Sequence, residues 1–461
     1  MAARKLNPVI LRSEPDLIGG VSKYERPAVS PFEARLMKQS FIRRFSSVDA
    51  TDASCVGPKA ANLAALARAG LPTPDGFCVT ADAYRRQIAH LGLSDLVGQY
   101  AQADQPAQRR FAVEIRLKLY QEALAPDLYD AVIAAWSAAQ KPAAVRSSAL
   151  IEDRDDGNFA GQFESFLGIA GEAEFMTALR ACWAALWTTT ARRSMAQRGQ
   201  DPAQTAMAVL VQPLVAARAS GGGLSETADG QILISATWGL GSTIAQGEVV
   251  PDRVVLSRQG FVRSNEPGRK HHRETCSHAG DGTSPQAVPA ALVRAPCLKA
   301  GEAATLGRLV RKAESVLGMP VEIEWALDDD GFKLLQARPL HLRPAQVPDE
   351  IWLKHPGLNG HPAGIGWGSG RAVVVNCECE LTRVAPGDIL VTRVAGPALS
   401  HILPRVGGVV AELGGSTSHL ASLARERGIP AVLGVLDATR RIPDGAQVAV
   451  DGVAGVVRWL D

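Results

Sequence analysis

Apolar positions along the chain follow two rhythms. In KAANLAALARAG, Leu63, Leu66 and the alanines recur at helical spacing and stop at Gly70, a residue suited to the left-handed conformation that ends many helices. The same spacing predicts helices over residues 106–124, 173–198 and 301–317. MAVLVQPLV, GQILISATWG and VEIEWAL read as strands, because β-branched and aromatic residues cluster in short apolar runs. Towards the carboxyl end, AVVV, DILV, GVVAEL and AQVAVD repeat the strand pattern around one strong helix. The fold class expected is α/β, of the α+β kind.

The rhythm also divides the chain. Residues 1–45 have no sustained period and carry nine Lys/Arg against four Asp/Glu, which reads as a basic extension. Residues 46–340 form the larger domain. A proline- and glycine-rich stretch over 341–365 reads as a linker, and 366–461 as a small, electrically balanced domain.

Composition narrows the classes. At 461 residues and 46% hydrophobic, the chain can bury a large core, which excludes a disordered, collagenous or disulfide-scaffold protein. A net charge of +2 provides no field for nucleic acid. The longest uncharged run, Gly230 to Gly247, is too interrupted for a membrane span. Seven scattered cysteines and no apolar leader predict free thiols and a cytoplasmic location, with Cys377 and Cys379 sharing a strand face.

Four segments carry candidate chemistry. Lys59 follows Gly-Pro at a helix entrance, where an ammonium and free backbone N–H groups suit a phosphate; a lysine on an exposed turn would look the same. Arg146 ends a short apolar run in AAVRSSAL, and its planar fork fits phosphate oxygens as well as it fits solvent. VEIEWALDDDGFKLLQARPL reads as a hairpin with a three-residue loop, Asp329-Asp330-Gly331. With Asp328 opposite Phe332, Glu324 falls across from Gln336 and Glu322 across from Arg338, all on one face. Glu322, Glu324 and Gln336 would then offer the hard oxygen set that Mg²⁺ takes, or else a solvated face with a Glu322–Arg338 pair. In GGSTSHLASLARERG, glycines and hydroxyls precede a helix whose first turn holds His419. There the helix dipole favours a neutral ring and would stabilise a phosphoryl group once attached.

These segments, together with SATWGLGSTIAQGEVVPDRVV, resemble the phosphoenolpyruvate synthase and pyruvate phosphate dikinase family and its relative rifampicin phosphotransferase, over about residues 50–461. The resemblance implies an ATP-grasp nucleotide domain followed by a swivelling phosphohistidine domain, with ATP and Mg²⁺ as cofactors. It implies that Lys59 and Arg146 hold ATP phosphates, that Glu324 and Gln336 bind Mg²⁺, that Arg338 contacts the triphosphate and that Gln212 lies beside the adenine. His419 would take the β-phosphoryl group, release AMP, and pass the group to a small-molecule acceptor or a separate acceptor subunit. Thr190, Ser242 and Pro58 depart from the family pattern, and Arg192 or Arg193 could replace the arginine expected at Thr190. Because the chain stops after the histidine domain, the acceptor site is expected elsewhere. The competing expectations are a degenerate nucleotide-binding regulatory subunit and an ADP-forming ligase.

Overall fold

The computed structural model describes residues 41–152, 163, 165–196, 198–227, 229–276, 283–340, 355, 357–394 and 396–460. The chain is mixed α/β, built on three main sheets. The first holds β1 (Ile42–Arg44), β2 (Phe77–Val79), β3 (Ala143–Ala149), β4 (Ser165–Ile169) and β5 (Met207–Pro213), antiparallel in the order β1-β2-β5-β3-β4. Residues 42–44, expected in the basic extension, are thus an edge strand; residues 1–40 lie outside the described residues.

Helix α1 (Ala53–Arg68) joins this sheet to the next. Its Val56, Ala60 and Leu63 pack with Cys78 and Leu210 of the first sheet, while Leu66 enters the core of the second. That second sheet contains β6 (Ala219–Leu224), β7 (Ile232–Trp238), β8 (Asp252–Leu256), β9 (Val262–Glu266), β12 (Val321–Asp328) and β13 (Gly331–Pro339), in the order β13-β12-β6-β7-β8-β9. A separate ribbon, β10 (His272–Cys276) and β11 (Thr283–Ala287), lies between β9 and β12 in the chain.

The predicted helices form over Gln105–Gln121 (α2) and Ala300–Leu317 (α6), but the stretch 173–198 breaks into α3 (Glu172–Ala185) and α4 (Thr189–Ala196), and a single turn, α5 (Ser242–Ala245), follows β7. Leu186 and Trp187 turn into the core at the break, where Trp187 Nε1 donates to Tyr84 Oη at 2.8 Å. Thr188 then accepts from Ala191 N at 3.3 Å, so the second helix has its own cap.

The third sheet contains β14 (Gly357–Asn359), β15 (His361–Pro362), β16 (Trp367–Val375), β17 (Ile389–Thr392), β18 (Gly408–Ala411), β19 (Ala431–Leu433), β20 (Gln447–Asp451) and β21 (Val456–Leu460). Its order is β14-β21-β20-β16-β17-β18-β19-β15. The expected linker ends earlier than residue 365, because β14 and β15 pair with β21 and β19 as the sheet's two edges. Pro362, which has no N–H for a ladder, suits an edge strand. The remainder of that linker, 341–354 and 356, lies outside the described residues.

Cys377 and Cys379 do not share a strand face. They lie beyond the end of β16 and are joined in a disulfide, which corrects the expectation of free thiols at this pair; Cys55, Cys78, Cys182, Cys276 and Cys297 are free.

Candidate functional site

The side chains of β12 alternate, so Ile323, Trp325 and Leu327 enter the core beneath α6 while Glu322 and Glu324 point the other way. The hairpin turns one residue tighter than expected, with Asp328 opposite Gly331. A β-bulge between Glu324 and Trp325 then shifts the register. These two departures cancel, and Glu324 still pairs with Gln336 and Glu322 with Arg338.

Gly57 interrupts α1 at φ 76°, so the helix restarts at Pro58, a residue favoured in a first turn. A Cβ at Gly57 would sit 2.4 Å from the Ser148 carbonyl oxygen, which is why glycine is needed there. The kink aims Lys59 at β3. Its Nζ donates to Ser147 O at 3.2 Å and to the buried carboxylate of Glu152 at 2.7 Å. Arg146 stands in the middle of β3, not at its end, and donates to Leu335 O at 3.2 Å and to Glu324 Oε2 at 2.5 Å.

One cleft between the first two sheets collects Lys59, Arg146, Gln212, Glu324, Gln336 and Arg338. Helix α7 (His419–Arg427) closes its mouth, adding Thr417, His419 and Ser422. Apolar Leu214, Val215, Leu240 and Ile244 line another part, and the Nε2 of buried Gln212 has no hydrogen-bond partner among the described residues. Such an apolar slot with a spare amide donor suits a planar heterocycle, while the cationic part suits an anion.

Burial opposes ionisation of Glu324, but Arg146, Arg338 and Lys59 outweigh it and hold the carboxyl below its usual range. Glu324 keeps 48% of its side-chain surface open to the cleft. Glu322 is situated differently. It is buried, ion-paired to Arg338 at 2.9 Å and to Arg425 of α7 at 2.8 Å, so its carboxylate is engaged and not open for a metal. Among the described residues no group of three or more His, Cys, Asp and Glu could hold a metal ion.

His419 occupies the first position of α7, capped by Ser418 and ended by left-handed Gly428, as the pattern predicts. Ser416 and Thr417 do not share the capping; their hydroxyls are buried without partners among the described residues. Burial, reinforced by Arg338, pushes the imidazole down to about 3, so the ring is neutral at pH 7. His361, on the same seam, is pushed down to about 4 by burial and by Arg253 of β8. Free imidazoles titrate near 6.5, so at pH 5.5 these two rings are expected to stay neutral in the folded chain while exposed histidines are charged, which a pH titration of the imidazole resonances checks.

Thr190 is exposed, and neither Arg192, which reaches Tyr100 Oη, nor Arg193 is among the cleft residues. Ser242 does line the cleft and donates to the carboxylate of Glu274 on β10. His271 and His272 are not cleft residues; His272 pairs with Glu248 at 3.0 Å. Sequence reasoning missed Glu152, Thr417, Ser422 and Arg425. It also missed the meaning of Gly221-Gly222-Gly223, although successive glycines inside a strand signal close approach of another segment. A Cβ at Gly222 would lie 2.5 Å from Thr417.

No helix among the described residues is long and apolar enough to cross a membrane. Residues 53–353 match the family described as pyruvate phosphate dikinase, AMP/ATP-binding domain, and residues 384–455 match the PEP-utilising enzyme, mobile domain. The chain is 33% identical to the phosphoenolpyruvate synthase of Aeropyrum pernix, over 87% of this chain and 56% of that protein. It is 30% identical to the probable phosphoenolpyruvate synthase of Pyrococcus horikoshii, over 91% and 58%. With the phosphoenolpyruvate synthase of Escherichia coli it shares 30% identity over 89% and 56%. The chain thus spans little more than half the length of these relatives. These two family matches, the first over more than half of the chain, together with the identity to phosphoenolpyruvate synthases, establish that the chain belongs to the pyruvate phosphate dikinase and phosphoenolpyruvate synthase family.

Proposed function

We propose that this chain carries the nucleotide and phosphohistidine steps of an ATP-dependent dikinase, with an ATP-grasp nucleotide domain over residues 41–340 and a swivelling phosphohistidine domain over 357–460. The observation that carries the reading is the convergence of Lys59, Arg146, Arg338 and His419 on one cleft.

Lys59, Arg146 and Arg338 receive the triphosphate, exchanging their present carboxylate partners for phosphate oxygens. Gln212 and the apolar slot take the adenine. The Glu324 carboxylate and the Gln336 amide face each other across β12 and β13 and would give a hard oxygen pair to hold Mg²⁺. When bound, Mg²⁺ supplies charge neutralisation to the phosphates.

The neutral His419 ring uses a nitrogen lone pair to attack the β-phosphorus. The bond from that phosphorus to the α–β bridging oxygen breaks, and AMP leaves with the electron pair. The γ-phosphoryl group then passes to water or inorganic phosphate. The β-phosphoryl group remains on the ring for delivery to a small-molecule acceptor or an acceptor site on another subunit. The fixed cations stabilise negative charge as it shifts towards the leaving oxygen.

Incubation with Mg²⁺ and β-labelled ATP is expected to release AMP and leave acid-labile label on the protein. Release of ADP would replace this reading with the ligase reaction. Binding without turnover would leave a nucleotide-binding subunit, the alternative that the exposed Thr190 favours.

A further inference from the structure

We propose that the buried Glu322–Arg425 ion pair is the latch that docks the histidine unit on the nucleotide cleft, which makes Arg425 a positioning residue for His419. The inference deepens the reading of His419 as the phosphoryl carrier and rests on it. Arg425 follows His419 by six residues on α7, and its guanidinium organises the segment that presents the ring. It donates to Ser416 O at 2.5 Å and to Ala363 O at 3.4 Å, both in its own unit. The same group then reaches across the seam to Glu322 Oε2 at 2.8 Å. The two side chains are only 7% and 8% exposed.

The neighbouring contacts fix shape more than strength. Thr417 sits where a Cβ on Gly222 would be, Gly415 lies against Pro251, and Gly414 N donates to Val249 O at 3.1 Å. Arg198 and Glu426 form a second cross-seam pair, looser at 3.8 Å. Glu322 and Arg425 differ in being closer, at 2.8 Å, and in having both partners buried, whereas Arg198 keeps 19% of its side chain exposed. A buried ion pair demands good geometry, and removing one partner strands the other charge away from water. In an undocked chain both groups regain water, so the contact is selective yet reversible. Glu322 also holds Arg338, which lines the cleft beside His419. One carboxylate therefore ties the docking contact to the cation proposed to bind phosphate.

The test uses the full chain with Glu322→Gln and Arg425→Lys. Glu322→Gln is expected to increase the radius of gyration and to slow labelling of His419 by about 10²-fold, as misplacement of a reacting group does. Arg425→Lys, which keeps the charge, should fall between parent and Glu322→Gln in both readouts. A Glu322→Gln protein as compact as the parent overturns the latch, whether it labels normally or not at all. The latch also falls if the parent is already extended. A parent that never labels while Glu322→Gln still opens it would remove the phosphocarrier reading and retain the docking contact.

Discussion

Glutamine in place of His419 is expected to reduce covalent labelling from β-labelled ATP by at least about 10³-fold, because among the described residues no other histidine lines the cleft. ATP binding should survive. Lys59, Arg146 and Arg338 lie on α1, β3 and β13, and Arg338 meets α7 through Ser422, which the substitution leaves unchanged. The helix itself keeps the Ser418 cap at its start and the left-handed Gly428 at its end, so loss of label cannot be ascribed to a melted α7. Intact-mass measurement under alkaline conditions, combined with AMP release in a single turnover, decides the matter. Label persisting on the variant would transfer the carrier role to another residue.

The second large effect concerns Glu324. Alanine there removes one of two oxygen donors facing the cleft and also frees Arg146 from its partner at 2.5 Å. AMP release is expected to drop by about 10²–10³-fold, the size found when a preorganised electrostatic group is lost at a phosphoryl-transfer or acyl-transfer site. Saturation should also require more Mg²⁺. Because Arg146, Arg338 and Lys59 hold the Glu324 carboxyl below its usual range against the loss of water inside the cleft, the parent donor is ionised at pH 7. Glu324→Gln should therefore retain geometry but lose charge, and fall between parent and alanine. A Mg²⁺ titration identical for all three proteins would end the assignment of the β12–β13 pair to the metal.

Much of this site could be read from local pattern, since its decisive residues sit in segments with strong internal rules. Period-two alternation put Glu322 and Glu324 on one face, and capping chemistry placed His419 at a helix start. The hairpin expectation reached the right cross-strand partners through a turn that is one residue too long and a bulge that went unseen. Bulges leave no clear mark in an apolar-polar pattern. Glu322 was read as a metal ligand because its partner Arg425 is 103 residues away, on a different sheet's helix. Pattern within one hairpin holds no information about such a neighbour. The break in 173–198 was hidden for a related reason: Leu186 and Trp187 look helical by spacing, and only the tertiary contact with Tyr84 shows why they turn inward.

The edge strands β14 and β15 fix where the carboxyl-terminal unit begins. Their pairing with β21 and β19 makes Gly357–Asn359 and His361–Pro362 the two rims of the third sheet. A fragment cut at residue 366, where the composition changes, would therefore lose both rims and bare the ladder groups of β19 and β21, an invitation to aggregate. A fragment meant to carry the histidine alone has to start before Gly357.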